Sequence, residues 1–187
     1  MFRFRYDIEE YGWATAWVGN DVEQRELRVS CLHEPLSKMA WLACYLMDGE
    51  NAGNALYDRV EGHVLFQDEP GAHWLIIEEP MPDVQRQGSG EIIIDYALTP
   101  EAPIGFSLQR HSEYFFGTGI PATATEIMRG NTTVRQFSQS VLEELQRLLN
   151  IHSFSGFRER WIEYEFPLTE TARLAKLLGH KSFDIRL

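Results

Sequence analysis

Alternation of apolar and polar residues at a period of two is the feature that most limits what this chain can become. Phe2, Phe4 and Tyr6 alternate with Arg3, Arg5 and Asp7. On a strand that period puts the aromatics on one face and the charges on the other. Glu9, Glu10 and Gly12 turn the chain, Trp13 to Val18 is β-prone, and Asn20-Asp21 breaks it. Leu27, Val29 and Cys31 then resume the alternation against Glu26, Arg28 and Ser30. Three such runs joined by short polar turns predict an antiparallel meander.

The clearest hairpin joins Val60–Phe66 to His73–Ile77 around Glu69-Pro70-Gly71-Ala72. Pro and Gly suit the two central positions of a type II turn. That turn sets Phe66 opposite Leu75 and Val64 opposite Ile77, with Leu65, Trp74 and Ile76 on the other face. With both faces apolar, these strands are expected inside a sheet covered on both sides. Ile92, Ile94, Tyr96 and Leu98 alternate likewise, as do Ile104, Phe106 and Leu108.

Helical spacing enters at Pro35, a natural first helical residue, and carries Leu36, Met39, Ala40, Ala43, Cys44 and Met47 to Asp48-Gly49. A second stripe runs Val134, Phe137, Val141, Leu145, Leu148 and Leu149, with Asn131 or Thr132 as its cap. Residues 115–131 show no firm period, and Trp161 to Phe166 reads as a short strand. After Pro167, Thr169 is expected to cap a last helix with Leu174, Leu177 and Leu178. The expected fold is α+β: one antiparallel sheet of roughly six to eight strands covered by two or three helices. Residues 1–187 are read as a single α+β domain.

An apolar share of 44% and a charged share of 24% exclude the disordered class. The net charge is −11: residues 1–103, with 7 Lys and Arg against 19 Asp and Glu, carry −12, and residues 104–187 carry +1. Such a field disfavours nucleic acid and anionic membranes and favours a basic protein partner. Cys31 and Cys44 are the only cysteines, too few for a disulfide framework, and reduced thiols in a cytoplasmic protein are expected. The start of the chain has no apolar signal core, and Trp41 to Met47 is far short of a membrane span.

Few motifs carry chemistry. His63 and His73 flank Asp68 and Glu69, but the hairpin puts the two histidines on opposite faces, so they cannot converge on one metal ion. There is no G-x-S-x-G elbow. His111-Ser112-Glu113 cannot form its own relay, because adjacent strand residues face opposite ways. Gly117-Thr118-Gly119 lacks the lysine of a phosphate loop, and Gly88-Ser89-Gly90 lacks the third glycine of a dinucleotide fingerprint. The pairs Glu9/Glu10 and Glu143/Glu144 read as solvated faces, and Arg158 and Arg160 beside Trp161 as ordinary surface. The candidate binding residues are Asp68, Glu69, His73, Glu78 and Glu79. No catalytic residue, metal ligand or cofactor is assigned.

Four stretches resemble a family of uncharacterised bacterial proteins. They are Gly12-Trp13-Ala14, Glu69-Pro70-Gly71 with Trp74, Trp161…Phe166-Pro167-Leu168, and the join Ser30-Cys31-Leu32…Pro35-Leu36. That resemblance brings no activity, cofactor or site residue. In class the chain is also similar to immunity proteins of bacterial toxin systems, which are often small, acidic and without catalytic motifs. The expected function is a non-enzymatic binding protein for a basic partner. Two alternatives stand beside it. One is an enzyme whose site is assembled from His73, Asp68, Glu69 and His111. The other is a structural or oligomeric component using Trp13 or Trp17.

Overall fold

The computed structural model describes residues 1–48, 62–68, 70–78, 83–86, 92–95, 99–113, 117, 119–161 and 164–180, with backbone alone at 83–86, 92–95 and 154. The predicted meander is present as β1 (Arg3–Ile8), β2 (Trp13–Gly19) and β3 (Gln24–Ser30). Arg5 faces Trp17, and Trp17 faces Glu26, in a register that puts Phe4, Tyr6, Ala14, Ala16, Val18, Leu27 and Val29 inward. Helix α1 (Pro35–Met47) begins on its proline as expected.

The next strands are β4 (His63–Asp68), β5 (Gly71–Glu78), β6 (Asp83–Arg86), β7 (Ile92–Asp95), β8 (Pro103–His111) and β9 (Thr125–Thr133). The fold is α+β and antiparallel, but among the described residues the expected single sheet of six to eight strands is instead nine strands in three sheets: β1-β2-β3, β4-β5-β8-β9 and the pair β6-β7. Helical spans α2 (Val134–Trp161) and α3 (Leu168–Leu177) complete the described chain. Ser153, at φ 56°, breaks α2 into two segments, so the described residues hold four helical segments where two or three helices were expected.

The main core lies where the inward face of β1-β2-β3, the inward face of β4-β5-β8-β9 and the helices meet. Phe2 joins all three, its ring 5.0 Å from Phe106 on β8 and 4.8 Å from Phe137 on α2. Removing an aromatic or aliphatic side chain of this size from water contributes roughly 1.5–3 kcal/mol. Cys44 is buried there, its thiol pushed up to about 11 by that burial. Trp74 is fully buried on the opposite face of β5, as expected for a strand covered on both sides.

Several local expectations shift. The β4–β5 hairpin pairs Phe66 with His73 and Asp68 with Gly71, a register two residues away from the type II turn. Because the shift is even, each residue keeps its face. β9 went unread because its inward side is Met128, Gly130 and Thr132, a weak apolar signal, and a register shift at Leu108/Gln109 breaks its phase. The cap of α2 is Thr133, whose hydroxyl accepts the Gln136 N–H at 3.2 Å, not Asn131 or Thr132. Trp161 ends α2 instead of opening a strand, and α3 starts at Leu168, one residue before the expected Thr169 cap.

Candidate functional site

The hairpin end brings some of the expected residues together. Asp68 and His73 lie on one face of the sheet, and β8 sets Arg110 directly opposite His73 on that face. His73 is buried and its Nδ1 has no hydrogen-bond partner. Burial, with the Arg110 charge adding to it, lowers its pKa to about 4, so the ring is neutral near pH 7. Burial raises the Asp68 carboxyl, against the opposing pull of Arg110 and Arg28.

Other expected residues are elsewhere. Glu78 sits at the far end of β5, seven residues from Gly71, about 24 Å away at strand rise. There it is an ion-pair partner of Arg129 at 3.1 Å, which also holds Glu126. Glu69 and Glu79 fall outside the described residues. His111 pairs with Ala72, which places it on the face opposite His73. His63, paired with Ile76, is also opposite His73, as the alternation predicted. Among the described residues no three His, Cys, Asp or Glu side chains are grouped to hold a metal ion.

A hollow of about 380 Å³ opens beside this cluster, between the end of β8 and the start of β9. Arg110, His111, Ser112 and Glu113 line one side and Thr123, Thr125 and Ile127 the other. Neither Asp68 nor His73 reaches it. The sequence carries a signal for Arg110: it continues the Ile104, Phe106, Leu108 alternation, a charge in the phase of the core.

The solvent face of β1-β2-β3 is the second notable surface. Arg28 lies 4.6 Å over the Trp13 ring, and Arg5 lies 5.7 Å over Trp17. The Trp17 Nε1–H donates to Glu26 at 3.2 Å, and Arg5 is paired with Asp7 at 3.0 Å. Each tryptophan is thus held by a neighbour on the adjoining strand. The two are half-buried, leaving part of each ring to solvent. A cation over an exposed ring contributes about 0.5–1 kcal/mol, enough to favour one orientation of the indole.

At the edge of that sheet a part-buried ionic network crosses to α2. Glu144, expected to be solvated, is buried, and it accepts the Tyr6 N–H at 2.7 Å. Arg147 binds Glu144, Asp7 and the Tyr6 carbonyl. The Glu144 hydrogen bond is the main cause that raises the Arg147 guanidinium above its ordinary value. Burial pushes the Asp7 carboxyl up, and hydrogen bonds from Arg5 and Arg147 outweigh it, leaving Asp7 below the usual range. This network joins β1 to α2.

Compared with models of protein families, with curated proteins and with solved structures, the chain matches none. No described helix is long and apolar enough to cross a membrane. The functional reading therefore rests on the chain's own surfaces.

Proposed function

We propose that the protein is a non-enzymatic binding protein that docks a basic protein partner, in the manner of an immunity protein. The observation that carries this reading is the solvent face of β1-β2-β3, where Trp13 and Trp17 are held in place on a chain of net charge −11. Tryptophan and arginine dominate the residues that carry binding energy at protein interfaces. Orienting them before association lowers the entropy lost on docking. Glu26 is taken up by the Trp17 indole N–H, and Asp7 and Glu23 are engaged by Arg5 and Arg25 of the same sheet. The preference for a basic partner therefore comes from the long-range field of the whole chain, which speeds encounter in a salt-sensitive way.

The enzyme alternative loses part of its residue set, since His111 and His73 stand on opposite faces of the sheet. A test of the binding reading immobilises the protein and captures partners from its cells of origin at low and high salt. A basic polypeptide retained at low salt, released at high salt and lost from the Trp17→Ala variant is the expected result. Failure to retain any salt-sensitive basic polypeptide, or retention unchanged by Trp17→Ala, would overturn it.

A further inference from the structure

We propose that the hollow between the end of β8 and the start of β9 binds a small oxyanion, a phosphate or a carboxylate, on the Arg110 guanidinium. Acids outnumber bases 28 to 17, and Arg3, Arg5, Arg25, Arg129, Arg135 and Arg147 each hold a carboxylate. Arg110 lines the hollow, yet among the described residues its guanidinium meets no carboxylate within ion-pair distance. Its cross-strand neighbour on β5 is the buried His73, which offers no anion, and the Asp68 carboxyl on the same face feels the Arg110 charge without an ion-pair contact and is not part of the lining.

The rest of the lining suits the same ligand. Thr125 is the direct partner of Arg110 across the β8–β9 ladder, and its hydroxyl donates to the Arg110 carbonyl at 3.4 Å, which ties the two walls of the hollow together. Thr123, whose hydroxyl is 3.3 Å from His111 Nδ1, and Ser112 bring two hydroxyls to the lining. A guanidinium fork matches the paired oxygens of a carboxylate or phosphate, and hydroxyls donate to the oxygens left over. Glu113, also in the lining, opposes a high negative charge and keeps the site selective for small anions of low charge. The hollow lies on a different sheet from Trp13 and Trp17, so this site stands or falls independently of the partner-binding surface.

The test is an amide chemical-shift titration of the full chain with inorganic phosphate and, separately, with acetate, at constant ionic strength. Saturable shifts at residues 110–113 and 123–127 are expected for at least one anion. Saturation by phosphate alone identifies a phosphate site, and saturation by acetate a carboxylate site. Arg110→Ala should weaken binding at least tenfold. Ser112→Ala should weaken it severalfold while leaving the guanidinium in place, and Arg129→Ala, an exposed arginine outside the hollow, should leave it unchanged. Absence of saturable shifts with both anions, or binding that survives Arg110→Ala, would overturn the assignment.

Discussion

The Glu144 carboxylate accepts the backbone N–H of Tyr6 at 2.7 Å, so a helix side chain occupies the edge of β1 where another strand could pair. Ser140, one helical turn earlier, accepts the Phe4 N–H at 3.1 Å, and Arg147 donates to the Tyr6 carbonyl at 2.9 Å. The spacing explains why this works. Alternate strand residues present their N–H groups about 6.8 Å apart, and side chains four apart on a helix rise about 6 Å. An exposed strand edge invites pairing with other chains, and this helix face blocks it.

Glu144→Ala is expected to destabilise the fold by about 3 kcal/mol, because it strips Arg147 of a buried partner and leaves the Tyr6 N–H unsatisfied. Glu144→Gln keeps an acceptor for that N–H and should cost about half as much. Urea unfolding of both variants measures the difference. Equal costs would mean that the acceptor kept by Gln contributes nothing beyond the charge, and a Gln variant as stable as the parent would mean that the charge is irrelevant to the edge.

The network was legible in the sequence only in part. Glu144 falls three residues after Val141 and four before Leu148, within the apolar stripe of α2, and reading it as half of a Glu143/Glu144 pair hid that phase. The meander and α1 were readable because their periods are strict and their burial one-sided. β9 was not, since Gly130 and Thr132 carry little apolar signal. Arg110, too, was visible as a charge in core phase, but what surrounds it depends on β9, which lies far from it in sequence. Division into three sheets depends on long-range hydrogen bonding, about which local periodicity says nothing.

His73 predicts an acid-sensitive fold. Its ordinary pKa of 6.5 falls to about 4 in the folded protein, so between these values the unfolded chain binds the proton more tightly. Stability is fully present above about pH 6.5 and is lost as pH falls toward 4, by about 2 kcal/mol at pH 5. Asp68, whose carboxyl is raised by burial, works in the opposite sense at the acid end. Urea midpoints of the parent and of His73→Leu at pH 7 and pH 5 test this. The parent should lose stability across that interval, and the variant should be flatter. Identical slopes would show that His73 is not the group responsible.

Gly130 marks where β9 presses most closely on the core. A Cβ at that position would stand 2.5 Å from Cζ of Phe106 and 3.1 Å from Nδ2 of Asn20. Phe106 is fully buried against Phe2, so its ring has little room to retreat. Gly130→Ala should therefore cost about 1–3 kcal/mol, as overpacking does in other cores. Gly105→Ala offers the contrast, because its nearest obstacle is the end of the Glu78 side chain at 3.1 Å, which can swing aside, and its cost should be smaller. The decisive measurement places Gly130→Ala in a Phe106→Leu background, where the ring that blocks the new methyl is gone. If the clash is the cause, the glycine substitution becomes cheaper there by about 1 kcal/mol or more, a coupling expected of residues in direct contact. The same cost in both backgrounds would place the penalty in the β9 backbone instead.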